Sequence, residues 1–163
     1  MTSAVAATSL PTPKDVRDLL EGLLGRDVTV GPGAPVTPTP SRPAAVAVYV
    51  DPTSRVTAIC LVDLPLAAWC AGALALLPKG GLEDAVDEGE LSEMHVEVLH
   101  EVVNVAAALL NAGGVTHSKL DTLVPPGQPL PGDIAGLTAS TNRIDLEVAV
   151  AGYGSGGLSV VLA

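Results

Sequence analysis

Phenylalanine is absent from this chain, whose 163 residues contain one tryptophan and two tyrosines. With 48% of the residues apolar, the core has to be built from Ala, Val and Leu. Basic residues are few as well: 8 Lys and Arg face 18 Asp and Glu, a formal charge of −10. That balance argues against nucleic acid and anionic membranes as partners, because phosphate contacts need clustered Lys and Arg. It leaves room for a partner with a basic patch, and an acidic excess also keeps soluble proteins dispersed without any partner. Cysteine is limited to Cys60 and Cys70, with no metal-type spacing; such thiols in apolar surroundings read as buried packing, not a bridge. No apolar run is long enough for a membrane. The longest, Leu66 to Leu77, covers about half a span and is closed by Pro65 and Pro78. Met1 to Leu10 lacks both a basic residue and a long apolar centre, so it is not a secretory signal. A soluble, cytoplasmic protein is expected.

The length fits one domain with a core that needs no disulfides. Residues 1–11 read as a disordered start and 12–163 as a single domain. Thr12-Pro13 opens a first helix over Lys14 to Leu24, with Val16, Leu19, Leu20, Leu23 and Leu24 on one face and Gly25 as its stop. Asp27 to Val30 is a short strand, and the proline-rich segment Gly31 to Pro43 is a loop. Ala44 to Val50 and Val56 to Asp63 form a hairpin around Asp51-Pro52-Thr53-Ser54. Leu66 to Leu77 reads as a buried helix, Pro78 to Gly81 as a turn, and Leu82 to Glu88 as an acidic connector. A long helix runs from Glu90 to about Ala112, with Gly113-Gly114 at its C-cap. Strands follow at Thr116 to Val124, Asn142 to Ala151 and Leu158 to Leu162, with a Pro/Gly loop from Pro125 to Gly132. Tight hairpins imply antiparallel pairing. The expected fold is α+β: a twisted, mostly antiparallel sheet of about six strands with helices on one face.

Several motifs are present only in letters. Gly152-Tyr153-Gly154-Ser155-Gly156-Gly157 satisfies G-x-G-x-x-G, but a strand follows where a phosphate-binding helix is required, so it reads as a turn. Glu97-x-x-His100 has di-iron helix spacing, yet a di-iron site needs a second copy and two more Glu on other helices. No zinc spacing, Walker loop or nucleophile elbow occurs.

The long helix carries the pattern with the most content. Glu90, Glu93, Glu97, Glu101 and Asn104 recur at steps of three, four, four and three, which stacks them on one helical face. Met94, Val98, Leu99, Val102 and Val103 lie on the opposite face and read as core. A striped surface helix needs no function to exist, since Glu is a good helix former. Asn104 is less easily dismissed, because Asn is a poor mid-helix residue and this one interrupts a run of Val and Ala.

These residues resemble the CheC/CheX/FliY phosphatases of bacterial chemotaxis. That family's signature is Asp or Ser, three residues, Glu, two residues, Asn, and a later proline. Glu97, Glu101 and Asn104 take the three helical positions; Glu97 replaces the usual Asp or Ser. The proline arrives one residue early, as Pro126, with Gly127 at the family position. A single Glu-x-x-Asn helix is closest to the one-site CheX type, which implies a homodimer.

The resemblance implies hydrolysis of the aspartyl phosphate on a phosphorylated CheY-type response-regulator receiver domain. Asn104 would hold the attacking water in line, and Glu101 would pair with the receiver's active-site Lys. Glu93, Glu97 and His100 would be partner contacts. No cofactor of the chain's own is implied, and Mg²⁺ is expected on the receiver. Two alternatives stay open: a receiver-binding or scaffold module of the same fold without catalysis, and a domain whose stripe is solvated surface alone.

Overall fold

The computed structural model describes residues 9–111 and 117–163. Residues 1–8, Ala112, the Gly113-Gly114 cap and the Thr116 strand start lie outside the described residues.

Local signals set the first elements. Helix α1, Pro13–Leu24, opens with a capping box in which Thr12 and Asp15 exchange 3.1 Å bonds, and Gly25 ends it at φ 67°, where a side chain is disfavoured. Strand β1, Val28–Pro32, precedes the proline-rich loop. Strands β2, Ala44–Val50, and β3, Val56–Asp63, pair as the expected antiparallel hairpin. Asp51 Oδ1 builds its turn, accepting from the Thr53 amide and hydroxyl and the Arg55 amide at 2.8, 2.6 and 3.0 Å.

Helix α2, Leu64–Ala75, starts two residues before the expected Leu66, because Asp63 caps it by accepting from the Leu66 amide at 2.9 Å. Helix α3, Lys79–Glu88, replaces the expected turn and connector. Its two glycines are poor helix formers, but Leu82 and Ala85 are buried and tertiary packing decides. Leu82 seats on Gly72 of α2, where a Cβ would collide with its side chain.

Helix α4, Glu93–Ala106, and the short α5, Ala108–Asn111, divide what was expected as one continuous helix. Strand β4, Lys119–Val124, short helix α6, Gly132–Leu137, and strands β5, Arg143–Val150, and β6, Gly154–Leu162, complete the described chain.

The six strands form one sheet in the order β1-β5-β6-β3-β2-β4, with every pair antiparallel. The principal helices lie on one face, where Val16, Leu20, Leu66, Trp69, Leu99 and Val103 share a core with Ala47, Cys60 and Val160. The other face is not bare. Val36 of the proline-rich loop and Ile134 of α6 close a smaller cluster over Val46, Val48, Ile59 and Leu61. Burial on both faces explains why β2 and β3 read as continuous apolar runs.

The glycine motif has a packing role. Ala151 to Tyr153 form the turn, and β6 begins at Gly154, four residues before the expected start. A Cβ at Gly154 would stand 2.8 Å from Trp69 Nε1, and one at Gly156 would stand 2.8 Å from Leu66 Cβ. The bare strand lets α2 lie close on the sheet. Cys60 and Cys70 are buried and unbridged, and burial pushes both thiols up to about 12. Among the described residues no helix is long and apolar enough to cross a membrane.

Candidate functional site

Ser92 fixes where α4 begins. Its hydroxyl accepts from the His95 amide at 3.2 Å, and its amide donates to His95 Nδ1 at 3.4 Å. Glu90 therefore falls in the preceding loop and leaves the stripe, a correction to the expected helix. Glu93, Glu97, His100, Glu101 and Asn104 are all on α4 and all exposed.

Leu99, Val102 and Val103 form the buried face, at 0%, 5% and 2% exposure. Met94 and Val98 were expected beside them. Met94 is instead 49% exposed and Val98 is half-buried. The steps from Met94 to Val98, Glu101 and Val105 are four, three and four, so these residues form a ridge along the edge of the stripe that shares Glu101 with it.

The C-terminal end of α4 is set from far away in sequence. Buried Tyr49 of β2 donates its hydroxyl to the Val103 carbonyl at 2.6 Å, and the Ala107 amide bonds to the Asn104 carbonyl at 3.3 Å, short of a full turn back. The ladder breaks there. Asn104 thus lies in the last turn of the helix, where low Asn propensity costs less than mid-helix. Its position has a structural explanation; its side chain has no polar partner among the described residues. Among the described residues, no hydrogen bond or ion pair engages the side chains of Glu97, His100, Glu101 or Asn104. Burial raises the Tyr49 phenol well above its ordinary value, so the pin beneath Asn104 stays protonated.

The surroundings are acidic. No Lys or Arg occurs between Lys79 and Lys119, while Glu83, Asp84, Asp87, Glu88, Glu90, Glu93, Glu97 and Glu101 are exposed. Among the described residues no group of three or more His, Cys, Asp or Glu is placed to hold a metal ion. Pro126 is buried and begins the bend in which Gly127 takes φ 87°. Proline is locked near φ −65°, so this loop excludes proline at the family position. Sequence reasoning missed Tyr49, although an aromatic in an otherwise aliphatic strand was its visible mark.

The site is thus one face of a surface helix, and the fold beneath it has solved counterparts. The FliM middle domain from H. pylori aligns with TM-score 0.63 at 10% identity, over 92% of this chain and 84% of that one. A chain of the FliG–FliM complex from H. pylori gives 0.59 at 10%, over 92% and 85%. FliY from Thermotoga maritima gives 0.57 at 15%, over 90% and 81%. At these identities the likeness is one of fold, and the fold implied by the resemblance to the CheC/CheX/FliY family is the fold observed. No family model and no curated protein matches the sequence.

Proposed function

We propose that this chain dephosphorylates a CheY-type receiver domain, with Glu101 and Asn104 as its catalytic residues. The supporting observation is that an exposed carboxylate and an exposed amide, one turn apart on a packed helix, have no partner among the described residues. Such groups are free to enter another molecule's site without a loop to order. Asn104 would accept from and donate to a water in line with the phosphorus. That water attacks, the bond from phosphorus to the receiver's carboxylate oxygen breaks, and inorganic phosphate and a free carboxylate result. Glu101 would pair with the receiver's active-site Lys and fix the approach. The receiver would hold Mg²⁺, whose role is charge compensation. Glu93, Glu97 and His100 would be rim contacts, and a homodimer of this chain belongs to the same reading.

The experiment is receiver phosphate decay with wild type, Asn104→Ala and Glu101→Ala. Asn104→Ala should lose the acceleration and keep binding; Glu101→Ala should lose both. Decay that is identical with and without the wild-type protein would remove the proposal.

A second reading is a docking module without catalysis. It is favoured by Glu97 at the first motif position, by the Gly127 bend, and by the fold likeness to FliM, which has been solved in complex with FliG. It predicts receiver binding with unchanged decay and a silent Asn104→Ala.

A further inference from the structure

We infer that the receiver docks on an apolar ridge of α4 beside the proposed catalytic pair, with Met94 and Val105 as its anchors. Three large hydrophobic side chains are notably exposed among the described residues: Leu76 at 78%, Met94 at 49% and Val105 at 39%. Two of the three stand on the one helix that carries Glu101 and Asn104. Scattered exposed apolar residues are ordinary; these two are aligned. Met94, Val98, Glu101 and Val105 follow a single ridge, and Met94 and Val105 stand about 16 Å apart along the axis at 1.5 Å per residue. Glu101 lies between them, nearer Val105, and Asn104 immediately precedes Val105, so a partner seated on both anchors covers the pair at the Val105 end of the ridge.

The chemistry of the strip selects the occupant. Glu101 lies within it and Glu97 beside it, and the segment from residue 80 to 118 holds no Lys or Arg. An anionic lipid surface is repelled. A second copy of this chain, paired by a two-fold axis on this helix, would set carboxylates against carboxylates. A protein surface bearing a lysine next to apolar side chains is complementary on both counts. The apolar anchors would supply residence time, while Glu101 and Asn104 supply register.

This inference rests on the receiver being the partner, and its test separates the two. A CheY-type receiver from the same genome, loaded with beryllofluoride and Mg²⁺, is titrated with wild type, Met94→Ser, Val105→Ser and the double variant. Both side chains are partly exposed, so the fold should survive their truncation. Met94→Ser should weaken binding about tenfold and Val105→Ser about fivefold, with the phosphate decay rate at saturation unchanged. Wild-type affinity in the double variant would overturn the ridge even if Asn104→Ala abolished decay. Weakened affinity without any accelerated decay would uphold the ridge and sink the catalytic reading. Self-association of wild type that Met94→Ser removes, with receiver affinity intact, would also overturn it.

Discussion

Helices α2 and α4 pack side by side on the same face of the sheet, yet 9 of the 12 residues of α2 are buried and only 3 of the 14 of α4. In α2, almost every side chain is dictated by what it touches. Trp69 bonds the Ser155 carbonyl at 3.2 Å, Gly72 accommodates Leu82, and Asp63 at its start ties the Gly157 amide at 2.7 Å. In α4, three core residues and one remote tyrosine hold the backbone, which leaves the outer face unconstrained by packing. Composition on that face is where selection for a partner can act. A buried helix teaches how the chain folds, and a half-free one what it does.

Breaking α2 should cost most. Gly156→Val forces a side chain into Leu66 and Asp63, and overpacking of this kind costs about 3 kcal/mol, read as a lowered urea midpoint. The pin on α4 comes next. Tyr49→Phe leaves the buried Val103 carbonyl without its partner, a loss of about 1.5 kcal/mol. By loosening the last turn it should also slow receiver dephosphorylation with little change in affinity. Leu76→Gly should move stability the other way. Leu76 sits at φ 56° and is 78% exposed, so relief of left-handed strain outweighs lost packing by about 1 kcal/mol.

A smaller effect is a pH slope. Burial raises the Asp63 carboxyl above 3.8, although its bonds to the Leu66 and Gly157 amides, which lower it, oppose the shift. A carboxyl raised on folding binds a proton more readily in the folded state. Its contribution is therefore fullest below 3.8 and declines as pH climbs through the folded value. Stability measured across that window should carry this downward component in wild type and lack it in Asp63→Asn. The smallest effect belongs to the outer face of α4: Glu93→Ala should change stability by less than about 0.5 kcal/mol, in keeping with a side chain that serves no packing.

The same contrast decides what was legible in the sequence. The β2–β3 hairpin was readable to the residue because apolar runs and an Asp-Pro turn are local signals. Helix α1 was readable from its caps. Helix α3 was not, since Gly80 and Gly81 argue for a turn and only burial of Leu82 overrides them. Helix α4 was placed too early because Glu90 has good helix propensity, while Ser92 and His95 make the actual cap. Its break after Ala106 depends on Tyr49, 54 residues away, which no window of sequence contains. The exposure of Glu97, Glu101 and Asn104 followed from spacing alone. That of Met94 did not: one step of four or three decides between core and edge, and the pattern of Val residues around it permits both.

The central claim is tested most directly by the lifetime of a receiver's aspartyl phosphate, followed after removal of the phosphodonor with catalytic amounts of wild type or Asn104→Ala. The account predicts a lifetime shortened by wild type and restored to the receiver's own value by the single amide deletion. A lifetime indifferent to wild type, or shortened equally by the Asn104→Ala variant, would contradict it.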